Sequence, residues 1–229
     1  MTKAAAPAAP PDAPKARRRR GEYAKSAETR QAILDAALAV FASGYDRGSL
    51  RDIADRVGMS EAGLLHHFKT KSALLRAVLD HRDEHSRSMV DFDAEDGVEA
   101  MRGLVSLARY NQSVPGIVEL YCVLSAEATA PSHPAHEYFV HRYVDVRASI
   151  RGCFARAAAA GRLREGIDPD RAAVATIAMM DGLQVQWLLD PGVVDMADAL
   201  ADFLRALLVG FDMIALDEAL DALTERVPS

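Results

Sequence analysis

The chain has 229 residues, half of them hydrophobic, a formal net charge of −6 and two cysteines. That is ample for a small domain plus a larger one, each with its own core, and too poor in cysteine for a disulfide scaffold. Abundant alanine, a single tryptophan and the absence of β-branched runs point to an all-α fold.

The charge is unevenly spread. Residues 1–71 hold 13 Lys/Arg against 8 Asp/Glu, whereas residues 72–229 hold 14 against 25. A basic front and an acidic body direct one end of the molecule at a polyanion and repel it from the rest. Cys122 and Cys153 lack metal-ligand spacing and read as reduced core thiols of a cytoplasmic protein. No metal, no cofactor and no catalytic residue is expected. No apolar run reaches the roughly 18 residues of a membrane span, and no secretory signal is visible at the N-terminus.

Residues 1–14 are rich in Ala and Pro, and residues 15–20 read KARRRR. The stretch to residue 25 is expected to be a disordered basic arm. It is either a solvated tail or an arm that follows the phosphate backbone or enters a minor groove. A first helix is expected over about 27–43, capped by Ser26, with Ile33, Leu34, Ala37, Leu38, Val40 and Phe41 inward and Gly44 at its end.

Residues 49–71, SLRDIADRVGMSEAGLLHHFKTK, organise the rest. Leu50, Ile53, Ala54 and Val57 recur at helical spacing over about 49–56, and Leu64, Leu65 and Phe68 over about 60–67. Ser49 and Ser60 stand at the two N-cap positions, Ala54 is small where helices cross, and Gly58 permits the turn between them. This is helix-turn-helix logic, in which the first helix props the second in the major groove. Small Ala62 and Gly63 allow close approach, Glu61 is suited to accept from a cytosine amino group, and His66 and His67 can donate to phosphates. Neighbouring histidines on a helix point about 100° apart, and no further ligands follow them, so metal is disfavoured. Arg47, Arg51, Lys69 and Lys71 surround the pair as phosphate-binding cations. Lys71 opens a fourth helix that is capped by Thr70 and runs to about Met89, a natural lever into the body.

Ile53-Ala54, Gly58-Met59-Ser60, Leu64, His67-Phe68 and Lys71 through Leu74-Leu75 together resemble the N-terminal domain of TetR-family transcriptional regulators. The match runs from about residue 26 to 80. The family usually has a phosphate-binding Tyr right after the Leu of the recognition helix, and here that position is Leu65. Either other groups supply that grip, or Leu65 touches a thymine methyl. The resemblance places Arg51 where a base-contacting Arg can occur, with a solvent- or phosphate-facing role as the alternative.

Downstream, helices are expected over about 95–111, 115–129, 135–160 and, from the Asp168-Pro169 cap, to about Leu189. Val174, Ile177, Ala178, Asp181, Val185 and Leu188 form the stripe of this eighth helix. A ninth runs from near Asp195 to about Ala215, and residues 217–229 are expected to fray. The ninth helix's stripe, Leu200, Phe203, Leu204, Leu207, Leu208 and Phe211, looks too wide for one neighbour. This suggests a homodimer through the two C-terminal helices, since DNA half-sites need two readers about 34–36 Å apart.

The resemblance also implies a small-molecule effector site in the C-terminal helices. Its candidates are Met89, Met101, Leu104, Tyr121, Ser125, Tyr143, Met179, Asp181, Gln184 and Trp187. The domain organisation read from the chain is an arm to residue 25, a helix-turn-helix domain over 26–72 and a helical ligand-binding and dimerisation domain over 73–229. The expected function is a homodimeric repressor that a small apolar or amphipathic ligand releases from a pseudo-palindromic operator of double-stranded DNA. A ligand-independent regulator or an activator are the alternatives. A cysteine-histidine enzyme and an RNA-binding adaptor stay remote, for want of a local catalytic signature and of interleaved aromatics over residues 45–71.

Overall fold

The computed structural model describes residues 14–213, with side chains from Ser26 onward. Among the described residues there are nine α-helices and no strand: α1 (Pro14–Phe41), α2 (Leu50–Val57), α3 (Glu61–His67), α4 (Lys71–Ser88), α5 (Val98–Ser113), α6 (Pro115–Glu127), α7 (His136–Ala159), α8 (Pro169–Leu189) and α9 (Met196–Leu207).

Five helix starts are capped as their sequence implies. Ser49, Ser60, Thr70, Asp168 and Asp195 each accept a hydrogen bond from the backbone N–H three residues on. Gly58 closes α2 in the left-handed region (φ 73°), while Met59 N–H donates to the Ala54 carbonyl at 3.0 Å. This Schellman ending sets the turn into α3. Gly97 (φ 72°) starts α5 where a Cβ would lie 2.0 Å from the Cys153 carbonyl oxygen, so only glycine lets α7 pass this close.

Three expectations need correction. The first helix begins at Pro14, not near residue 27, so Ser26 lies inside it and the arm is helical from Pro14 on. Proline suits the first helical position, and the Ala, Arg, Lys and Glu that follow favour helix. Residues 1–13 lie outside the described residues. At the other end α9 stops at Leu207, well short of Ala215. There the chain bridges back: Arg164 N–H donates to the Leu207 carbonyl (2.9 Å) and Val209 N–H to the Arg162 carbonyl (2.7 Å), with Gly210 at φ 64°. The expected fraying of residues 217–229 also lies outside the described residues. Finally, α8 is long and apolar enough, by length and composition alone, to cross a membrane. Its Ala, Met and Gly content makes it so without any unbroken apolar run, and it packs against α6, α7 and α9.

Two cores form. One joins α1 to α4 through Ile33, Phe41, Ile53, Leu64, Leu74 and Leu79 and continues into Leu120 and Leu124 of α6 and Phe139 of α7. The other fills the body between α5, α7, α8 and α9. The head is also clamped by Glu127 of α6, whose carboxylate accepts the Tyr45 N–H at 2.9 Å. The wide stripe of α9 is used within the protomer, since Leu200, Leu204 and Leu208 are fully buried against α5 and α8. On α8 the buried residues are Ala172, Ala173, Thr176, Leu183, Gln184 and Trp187. Val174 and Val185 of the α8 stripe are 52% and 49% exposed, on the side away from this core. A helix that is apolar nearly all round does not reveal by spacing which side faces its own core.

Candidate functional site

The reader is built from three short capped starts. Ile53 and Ala54 of α2 and Leu64 of α3 are buried, which fixes the angle between the two helices. Arg47, Arg51, Ser60, Glu61, Ala62, His66 and Lys69 are exposed, and Ser49, Gly63, Leu65, His67 and Lys71 are half-buried. The Ser49 and Ser60 hydroxyls accept from Asp52 N–H (3.0 Å) and Gly63 N–H (3.1 Å). Each keeps its own O–H free to donate to a phosphate. The Lys71 ammonium sits 4.3 Å from the centre of the Tyr45 ring, and the Tyr45 hydroxyl pairs with Ser72 Oγ at 2.9 Å. That packing holds the cation at the first turn of α4, beside backbone N–H groups suited to an anion. The His66 and His67 rings meet edge-on at 6.0 Å.

Eleven residues further along, the same helix carries a buried polar cluster. Arg82 and Asp83 are 6% and 4% exposed. Asp83 Oδ2 accepts the Tyr138 hydroxyl at 2.5 Å, and Oδ1 pairs with Arg142 Nη1. Arg142 Nε donates to the Tyr121 hydroxyl at 2.9 Å, and Tyr143 donates to Asp181 Oδ2 at 2.8 Å. Both guanidiniums lie over the Tyr121 ring, at 4.3 Å for Arg82 and 5.1 Å for Arg142. Burial, and then the neighbouring Arg142, lower the Arg82 pKa. Burial pushes the Asp181 carboxyl up, with Tyr143 and the two arginines opposing it. Burial and then Asp181 push the Cys122 thiol up to about 11. At neutral pH that thiol stays protonated and is a poor nucleophile.

Cavities surround this cluster. The outer one, about 320 Å³, lies between α1, α4, α5 and α6 and is lined by Leu38, His81, Arg82, His85, Tyr110 and Ile117 among others. A narrow inner one, about 40 Å³, shares Arg82 and Asn111 with it and adds Tyr121, Arg142, Tyr143, Asp181 and Gln184. A third, about 150 Å³, lies between α4, α5, α7 and α8, with Leu104, Arg142 and Met180 in its wall.

Of the effector candidates, Tyr121, Tyr143, Asp181 and Gln184 therefore meet in one place, and Leu104 lines the neighbouring cavity. Met89, Met101, Ser125, Met179 and Trp187 line none of the three. Met101 and Trp187 are packed in the body core, and Ser125 Oγ donates to the Cys122 carbonyl at 3.1 Å. Sequence reasoning missed Arg82, Asn111 and Arg142. The signal for Arg82 was present: Leu75, Val78, Leu79, Arg82 and Asp83 continue one helical stripe, which puts two charges on a buried face.

Residues 33–78 match the family profile described as bacterial regulatory proteins, tetR family. Residues 120–209 match that of the BetI-type transcriptional repressor C-terminal domain. The HTH-type transcriptional regulator TtgR of Pseudomonas putida is 32% identical over 202 residues, 84% of this chain and 94% of that protein. Among solved structures, a triclosan complex of SmeT, repressor of the Stenotrophomonas maltophilia multidrug efflux pump SmeDEF, superposes with a TM-score of 0.66. It is 26% identical and covers 80% of this chain and 93% of that one. NalD, the secondary repressor of the MexAB-OprM efflux pump in Pseudomonas aeruginosa, superposes at 0.62 with 25% identity, over 82% of this chain and 100% of that one. With its capped reader, its helical body and these likenesses over most of its length, the chain belongs to the TetR family of DNA-binding transcriptional regulators.

Proposed function

We propose that the protein is a homodimeric repressor released from a pseudo-palindromic operator by a small apolar or amphipathic effector bound beside α4. One observation carries this reading: a single helix, α4, runs from the helix-turn-helix to the outer cavity. Lys71 at its first turn stands at the DNA-facing end, and His81, Arg82, His85 and Ser86 on the same helix line the outer cavity. Eighteen residues make a rod of about 27 Å. A ligand that favours one tilt of this rod shifts the reader spacing away from the operator.

The DNA contacts are Arg47, Ser49, Arg51, Ser60, Glu61, Ala62, Gly63, Leu65, His66, His67, Lys69 and Lys71. The organisation follows as a reader over 26–72 and an effector-binding and dimerisation body over 73–229. The dimer face lies on α8, flanked by α7, where Val140, Val144, Val174, Val185 and Leu189 are 45–82% exposed. The multidrug-efflux repressors among its structural neighbours support an effector-released repressor, and DNA binding supports a cytoplasmic protein. The test is binding of the purified full chain to duplex from its own upstream intergenic region, at two salt concentrations against random competitor. Selective dimeric binding is expected, and binding without selectivity contradicts the operator reading.

A further inference from the structure

We propose that the effector is an aromatic carboxylate, its anionic group seated on Arg82 and its ring in the cavity between α1, α4, α5 and α6. This rests on the reading of the chain as an effector-released repressor.

Arg82 is a buried cation left short of acceptors. Its Nε and Nη1 have no hydrogen-bond partner among the described residues. Asp83 lies 3.5 Å from Nη1, within ion-pair range, yet its oxygens are already taken by Tyr138 and Arg142. The Tyr121 ring covers the face of the guanidinium and offers nothing to its N–H edge. A buried donor without an acceptor is costly, and a buried charged donor more so. Two guanidiniums share the cluster with Asp83 and with Asp181, whose carboxyl is pushed by burial toward its neutral form. Arg82 also lines the cavity, so a negative charge bound there can meet the donors that the protein leaves unpaired.

A carboxylate supplies that charge and up to four acceptor positions. The walls select what carries it. Leu38, Val114, Ile117 and the Tyr110 ring, which lies tilted against His85 at 4.7 Å, make an apolar slot. Its 320 Å³ is at the small end for ligand sites and suits one or two rings. Asp35 also lines the cavity, but it is exposed and engaged by Gln31 Nε2 at 2.9 Å, so water screens it. Bound there, an anion joins α4 to α1, α5 and α6 at the point where head and body meet.

The test uses the full-length protein without DNA and two matched pairs, benzoate with benzamide and 1-naphthoate with 1-naphthamide, by calorimetry. At least one carboxylate is expected to bind roughly tenfold more tightly than its amide. That preference should fall to about twofold or less in Arg82→Met and survive in part in Arg82→Lys. Ile117→Trp, which fills the slot, should abolish binding. The proposal is overturned if neither carboxylate is preferred, if Arg82→Met keeps the full preference, or if binding survives Ile117→Trp. Release of the operator by a neutral compound, with no carboxylate binding, overturns it while leaving the repressor reading intact. Failure to bind any operator strikes that reading instead, and the carboxylate preference, measured without DNA, is judged on its own.

Discussion

Replacing Asp83 with alanine should destabilise the protein by about 3–5 kcal/mol, because it strands two buried guanidiniums. The Asp83 side chain is 5% exposed, pairs with Arg142 and accepts the Tyr138 hydroxyl at 2.5 Å. Little of that interaction is screened, so most of the desolvation of Arg82 and Arg142 would go uncompensated. The control is Asp80→Ala on the same helix. Asp80 makes an equally well-formed pair with Arg76 at 2.8 Å, but the two side chains are 54% and 60% exposed. Exposed pairs contribute about 0.2–1 kcal/mol. Urea unfolding followed by circular dichroism measures both, at one fixed protomer concentration because the stability of the proposed dimer would depend on it. Adding Arg142→Met to Asp83→Ala should restore about 2 kcal/mol or more, as a coupled pair requires. The reasoning is refuted if Asp83→Ala costs no more than Asp80→Ala, or if the double variant is as unstable as the two single losses added together.

Lys71→Ala should weaken DNA binding alike on operator and random duplex and reduce the slope of log affinity against log salt by about one unit; an unchanged slope removes Lys71 from the phosphate contacts. Val185→Glu places a charge on the exposed apolar face of α8 and should yield a folded monomer in sedimentation velocity, and a surviving dimer would move the interface elsewhere. Asp181→Asn bears on pH. Burial raises the Asp181 carboxyl above its unfolded value, so its contribution is complete below the unfolded pKa and is lost as pH rises through the folded one. The Asn variant, still able to accept from Tyr143, should melt higher than wild type at pH 7.5, with the gain vanishing near pH 4. A gain that persists at pH 4 contradicts the assignment.

Where a residue's role follows from its immediate neighbours in sequence, the chain could be read directly. Ser49, Gly58, Ser60 and Thr70 declare three helix starts and one turn through local hydrogen bonds and backbone freedom, and the structure uses each that way. Side selection was harder. On α8, Val174 and Val185 stand in a good helical stripe, yet Ala173, Thr176 and Trp187 face the core, because an almost uniformly apolar helix has no polar side to orient it. The end of α9 was hidden for another reason. Leu208 and Phe211 continue its spacing, but Leu208 bridges to Leu163, a partner 45 positions away that no local pattern announces. The candidate effector cavity was half legible. Asp181 and Gln184 are polar groups on an apolar helix, and Tyr121 and Tyr143 stand among the candidates the resemblance implies, whereas Arg142 is recognisable only once α7 is laid against α4.

In the proposed mechanism α4 transmits cavity occupancy to the reader. Spin labels on Asp55→Cys, an exposed α2 position outside the proposed DNA contacts, would measure the distance between the two readers of a dimer by double electron–electron resonance. With operator bound, the account predicts one narrow distribution set by half-sites about 34–36 Å apart. Adding a compound that releases the operator should shift that distribution by several ångströms. A compound that releases the DNA while leaving the distance between labels unchanged would contradict the account.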